Sequence, residues 1–268
     1  RGSSSSSRSS KGLYQTGVSV LALSGPVKMD LMVAQGCRPL SPYVWHIEEV
    51  AKDSNCVLAL RREGPEEGQL AAAAVEPLEA LREEIRAAVL SEVELTVLLA
   101  NLNVGLAPDA LVGQTQKLAP HDFLIRPLAL DPRGMIAVGD YVRTGQRLRF
   151  MVREKASAEQ DLISHGTALK KRQLQCLMEG TPLDPPIATL LFSCVGRGSN
   201  LHSKNSFDAR TVASFLPVPT SGFLGNGEIG KVGSTTHLHG FTCAVGVLRA
   251  GKGMPLPPAA RMPAEKNS

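Results

Sequence analysis

Ten residues near the end of the chain, Ser221-Gly-Phe-Leu-Gly-Asn-Gly-Glu-Ile-Gly230, hold four glycines and one carboxylate, Glu228. Glycine admits positive φ and lets another backbone or a ligand come close. A glutamate set among glycines is therefore either presented to a small molecule at short range or bonded to backbone N–H groups in a tight turn, and residue types alone leave both open. The stretch is expected to follow a strand end at Phe215–Val218 and to precede the turn Lys231-Val-Gly-Ser234. A second glycine-rich stretch, Cys194-Val-Gly-Arg-Gly198, follows the apolar run Ile187–Ser193. That run lies between helical segments and suits a buried central strand. A glycine-rich turn after a strand's C-terminal end is a common ligand position in open α/β sheets. It has neither a GxGxxG pattern nor a Gly-Lys-Ser/Thr ending, so the support for a nucleotide loop is weak.

The residues Gly222–Gly230, followed by His239-Gly-Phe-Thr242, resemble the C-terminal part of a FIST domain. Phe192–Gly198, Ser24-Gly25, Gln35-Gly-Cys-Arg-Pro39, Asp122–Arg126 and Val138-Gly-Asp140 fit the same family in the same order, so the likeness covers about Gly17 to Leu248. The resemblance implies an intracellular sensory module that binds a small ligand such as an amino acid. It also implies a second reading, because the domain occurs at the end of an F-box protein: an adaptor for substrate recognition in ubiquitin ligation, with a protein partner held by a region preceding Arg1. The implied division is a Ser-rich linker over 1–16, the end of the family's N-terminal region over 17–60, the C-terminal domain over 61–248 and a disordered tail over 249–268. Where the family commonly has a His, Phe207 precedes Asp208 here, which weakens an acid–base role at that position.

The chain of 268 residues is 43% hydrophobic, enough for a real core. A formal charge of +4 with scattered cations and only 4% aromatics argues against nucleic-acid binding. No apolar run of about 18 residues suggests a membrane span. Five scattered cysteines, Cys37, Cys56, Cys176, Cys194 and Cys243, form no CxxC pair and read as free thiols of an intracellular compartment.

Alternation in Gly17–Leu23 and Val27–Ala34 predicts a hairpin, and Trp45–Val50 with Cys56–Leu60 a second one. Glu76-Pro77 opens a helix with a face of Leu78, Leu81, Ile85, Ala88 and Val89. Val93–Ala100 reads as a buried strand and Asn101–His121 as a long loop. Phe123–Leu130 and Met135–Val138 bracket the turn Asp131-Pro-Arg-Gly134, and Val142–Val152 is a further strand. Ala156–Leu177 is the longest helix, Ser206–Ala213 a short one, and one last strand runs from His237 to Leu248. Asp122 and Arg126 share a strand face and pair with each other or with a ligand.

The expected fold is α/β, with α+β possible, built as two sub-domains of mixed sheets flanked by helices. The candidate ligand-binding residues are Arg38, Cys194, Gly196, Arg197, Gly198, Gly225, Asn226, Gly227, Glu228 and His239. Arg38 is a cation between a glycine turn and a proline, able to fork onto a carboxylate or phosphate or onto backbone carbonyls. Arg197 and Glu228 are the charge complements for a zwitterion. No cofactor and no metal is expected, although His237 and His239 alternate on one strand face. An enzyme using Cys194 as nucleophile and His239 as base is the third alternative, and it requires the two side chains to meet.

Overall fold

The computed structural model describes residues 20–254, apart from 53, 67, 89, 90, 234 and 253. Strand β1 (Val27–Ala34) is followed by a short β2 (Cys37–Pro39) and by the expected hairpin of β3 (Trp45–Val50) and β4 (Cys56–Arg62). Helix α1 (Pro77–Ala88) starts at its proline, as expected, and buries Ala80, Leu81 and Glu84, with Leu78 and Ile85 packed beside them. Helix α2 (Glu92–Ala100) leads into β5 (Leu102–Leu106). The hairpin of β6 (Leu124–Leu130) and β7 (Ile136–Val138) closes on Gly134 at φ +95°, and β8 (Arg147–Arg153) follows a turn at Gly145.

Strands β2 to β8 form one seven-stranded sheet in the order β2-β8-β3-β4-β7-β6-β5, and β5 also pairs with β8. The sheet thus closes on itself as an antiparallel barrel through the β5–β8 pairing, with the short β2 paired on one side only. Trp45, Ile47, Val57, Leu60, Val104, Ile136, Leu148 and Phe150 form its main core, joined by Ala80 and Leu81 of α1. The expected boundary at residue 60 falls inside β4, whose neighbours in the barrel include β7 from much later in the chain.

Helix α3 (Lys155–Met178) crosses to a second sheet. There β9 (Pro186–Cys194) is followed by helices α4 (Ser199–His202) and α5 (Phe207–Phe215), then β10 (Thr220–Gly225), the hairpin of β11 (Glu228–Val232) and β12 (Thr235–His239), and β13 (Cys243–Ala250). The four-stranded order is β1-β13-β9-β10, with β10 parallel to β9 and the other pairs antiparallel. The β11–β12 hairpin touches β1 and β13 on one side and β6 of the barrel on the other. Together the elements make the mixed α/β fold that the residue patterns predict.

Five expectations change. β1 does not pair with the segment before it. Residues 17–19 lie outside the described residues, residues 20–23 form no strand, and β1 instead pairs along its length with β13. Val93–Ala100 is helix rather than strand, because Ser91 and Glu94 form a reciprocal capping box at its start. Within Asn101–His121 lies the fully buried strand β5, whose Leu102, Val104 and Leu106 alternate around Asn103 and Gly105. Phe215 ends helix α5, and residues 216–218 form no strand before β10. The last strand is two strands, broken at Gly240–Thr242 with Phe241 at φ +59°.

Candidate functional site

Parallel pairing brings the two glycine-rich stretches together. β9 and β10 run side by side to the register pair Cys194–Gly225, so the turn Val195–Arg197 and the turn Asn226–Gly227 leave the same end of the sheet. Most of the glycine motif is strand rather than loop. At Gly222 a Cβ would run into the Leu191 backbone, so β10 lies against β9 only with glycine there. At Gly227, φ is +108°, which a side chain rarely adopts, and this residue reverses the chain into β11.

Arg197, 1% exposed, is the centre of a buried polar cluster. Its Nε and Nη2 donate to the two oxygens of Asp208, each at 2.9 Å, and Nη1 and Nη2 also reach Gln35 O and Ala158 O at 3.2 and 3.3 Å. Ser193 Oγ donates to Asp208 Oδ2. Burial pushes the Asp208 carboxyl up, but the Arg197 guanidinium and Ser193 hydroxyl outweigh it and hold the group below its usual range. His202 stacks on Phe207 at 4.4 Å. Its ring nitrogens lie 3.4 Å from Asp208 Oδ1 and 3.4 Å from Glu159 Oε1, without hydrogen-bond alignment. Burial pushes this imidazole down, against the pull of Asp208.

Glu228 and His239 face each other across the β11–β12 hairpin, and both are buried. Glu228 Oε2 accepts from Thr242 N and Thr242 Oγ1 at 3.2 and 2.9 Å, while Oε1 has no partner. Burial raises this carboxyl, and the bonds from Thr242 oppose the rise. His239 Nε2 donates to Gly230 O at 3.2 Å, leaving Nδ1 unpartnered, and burial pushes the ring down. The Cys194 thiol is buried beside Glu228, and no hydrogen bond joins Cys194 to His239 among the described residues. A nucleophile–base pair of these two is therefore not assembled here. His237 and His239 lie 6.5 Å apart, and no group of three or more possible metal ligands occurs among the described residues. All five cysteines are free.

The ten candidate residues thus divide. Arg197 and Gly198 line a cleft of about 620 Å³ between β10 and the first turn of α5. Cys194, Gly225, Asn226, Gly227, Glu228 and His239 do not line it, although they lie at the same end of the sheet. Gly196 packs under Phe241. Arg38 is exposed and donates from Nε to Glu154 at 2.8 Å, and it does not line this cleft. Asp122 accepts from Ala119 N and Arg126 pairs with Asp140, so these two do not pair with each other. The charge of Arg197 is taken up by Asp208, which corrects the view of Arg197 as a free complement to a ligand.

The cleft brings in residues outside the sequence-derived set: Lys204, Ser206, Asp208 and Phe223. Lys204 has no ion-pair partner among the described residues, and no side chain caps α5, which starts inside the cleft. First-turn N–H groups of a helix lack intrahelical acceptors. Asp208 in the first turn was the available signal; its junction with Ser193 and Arg197 was not.

The strand, glycine turn and crossover that frame this cleft match a known family. Residues 74–231 fit the FIST C domain family pattern. The chain belongs to the FIST C domain family. The FIST C domain is a sensory-type domain. Similar proteins include the uncharacterised Rv0628c of Mycobacterium tuberculosis, 33% identical over 221 residues, which are 80% of this chain and 49% of the relative. The uncharacterised Mb0898c of Mycobacterium bovis is 30% identical over 221 residues with the same coverage. The chain spans about half the length of these curated relatives. In this FIST C domain no helix among the described residues is long and apolar enough to cross a membrane.

Proposed function

We propose that this FIST C domain senses a small polar molecule bound in the cleft along β10, an amino acid being the class that the family resemblance suggests. The observation that carries the reading is the uncapped start of α5 inside that cleft, next to Lys204. A helix N-terminus with free N–H groups and a neighbouring cation accepts a carboxylate. The hydroxyls of Ser199 and Ser206 and the amide of Asn205 offer acceptors for an ammonium group, and Phe223 offers an apolar wall. The buried Arg197–Asp208 pair holds α5 against β9, so the floor is rigid before a ligand arrives. Glu228 supports the turn at the sheet end and takes no part in contact.

A thermal-shift screen of free amino acids and related metabolites tests this, since a ligand that binds only the folded form raises the melting temperature. A stabilising ligand is then titrated calorimetrically into Lys204→Ala and Phe223→Ala. Loss of a charge-assisted bond weakens binding about tenfold or more. A hit whose affinity ignores both substitutions places its site outside the cleft.

A further inference from the structure

Strand β8 reads Arg147-Leu-Arg-Phe-Met-Val-Arg153. Leu148, Phe150 and Val152 join the main barrel core, so alternation sends Arg147, Arg149 and Arg153 to the opposite face. The three arginines are satisfied differently. Arg147 donates to Gln116 O, and Arg153 donates twice to Asn101 Oδ1, at 3.2 and 3.0 Å, and lies over the Phe241 ring. Arg149 is 6% exposed, yet Nη2 alone has a hydrogen-bond partner, Ser41 O at 2.8 Å. Its Nε is buried without one. Glu84 and Glu63 act on it only through their charge, and neither accepts a bond from it. A buried guanidinium with an unfilled fork favours an acceptor that comes from outside.

Arg149 borders a cleft of about 570 Å³, separate from the one along β10. Among the described residues its charged lining is Arg62, Lys117 and Arg149 against Glu63 and Glu66, three cations and two anions. Arg62 already pairs with Glu83 and covers the Tyr43 ring, whereas Lys117 is exposed and has no ion-pair partner among the described residues. Tyr43, Val44, Pro65 and Leu118 supply apolar walls. We propose that this cleft binds a small monocarboxylate with an apolar body, its carboxylate held by Arg149 and Lys117. Two cations free of ion pairs among the described residues, with the carboxylates of Glu63 and Glu66 close by, fit a monoanion better than a phosphate dianion.

The test is calorimetric titration of the whole chain with benzoate, its neutral isostere benzamide, and inorganic phosphate. Benzoate binds saturably at one site, and benzamide and phosphate bind at least about tenfold more weakly, the cost of one charge-assisted contact. Lys117→Ala weakens benzoate about fivefold or more without lowering the melting temperature, because Lys117 is exposed and unpaired, and Lys117→Arg restores binding. Arg149→Lys weakens it further; should that variant fail to fold, the Lys117 pair carries the test. Lys204→Ala and Phe223→Ala, in the other cleft, leave benzoate binding unchanged, so this site stands or falls independently of the proposed sensory cleft. No saturable benzoate binding, equal binding of benzamide or phosphate, indifference to Lys117→Ala, or a loss in the β10-cleft variants each overturns the proposal.

Discussion

A buried carboxylate packs against each of the two larger sheets, Asp208 of α5 and Glu84 of α1, and the two are handled in opposite ways. In the four-stranded sheet Asp208 receives a two-pronged guanidinium and a hydroxyl, and its ionised form is stabilised below the usual range despite burial. In the barrel Glu84, 1% exposed, accepts from Trp45 Nε1 at 2.6 Å through one oxygen, and its other oxygen has no partner. Burial there pushes the carboxyl up to about 7, against the pull of the Trp45 bond. Burial among the apolar side chains of the barrel core, with one bond from Trp45, drives this acid toward its neutral form. The open sheet has an edge at β10 and a crossover, and there a complete set of donors keeps the acid charged.

The largest expected effect breaks the charged cluster. Asp208→Asn leaves Arg197 buried without its counter-charge and costs about 3–5 kcal/mol. Urea denaturation at pH 7 measures it, and the double substitution Arg197→Met, Asp208→Leu recovers much of the loss. A cost for Asp208→Asn no larger than for an exposed substitution would show that the cluster is not a closed pair.

The pH dependence of stability sharpens the contrast, because the two acids have opposite signs. The folded-state value of Glu84 lies above its ordinary 4.5. Its contribution is therefore complete below 4.5 and is lost as pH rises toward about 7, a change of about 3 kcal/mol. The folded-state value of Asp208 lies below its ordinary 3.8, so its contribution is present above 3.8 and is lost as pH falls through the depressed value. Glu84→Gln flattens the alkaline limb between pH 5 and 8 and leaves the acid limb alone. Denaturation curves at pH 3, 5 and 8 for the wild type and Glu84→Gln check this; a slope between pH 5 and 8 that survives the substitution excludes Glu84 as its source.

The smallest effect is expected at Glu228→Gln. The amide still accepts from Thr242, and Glu228 lies outside the cleft. Affinity for a ligand of the β10 cleft changes by less than about twofold, as for distant independent sites. A tenfold loss would return Glu228 to the ligand and move the site to the sheet end.

Local pattern was enough for much of this fold. The β3–β4 and β6–β7 hairpins follow from alternation and turn residues, α1 from its proline start, α3 from its length and period, and β9 from its apolar run. These signals are legible because each element carries its own periodicity and punctuation. Two signals were present but outweighed. The Ser91–Glu94 box marks α2, yet its apolar run Val93–Ala100 has the composition of a buried strand. The alternation Leu102, Val104, Leu106 marks β5, yet Asn103 and Gly105 interrupt it, and Gly105 is needed because Phe123 and Met151 occupy the space of a Cβ.

For the candidate site, the sequence alone determined that the glycine-rich stretch Cys194–Gly198 follows a strand, that Arg197 and Glu228 are the charged residues of the two glycine-rich stretches, and that the chain resembles the FIST family. Tertiary structure decided what those charges do. Arg197 and Asp208 are eleven residues apart and meet because the β9–α5 crossover folds back over the sheet. Glu228 turns inward to Thr242 because the β11–β12 hairpin sets it opposite His239. β1 joins β13 across most of the chain, where only the available edge selects the partner. Propensity and periodicity act over a few residues, whereas pairing of buried charges and strand edges depends on which desolvated groups the whole fold leaves without partners.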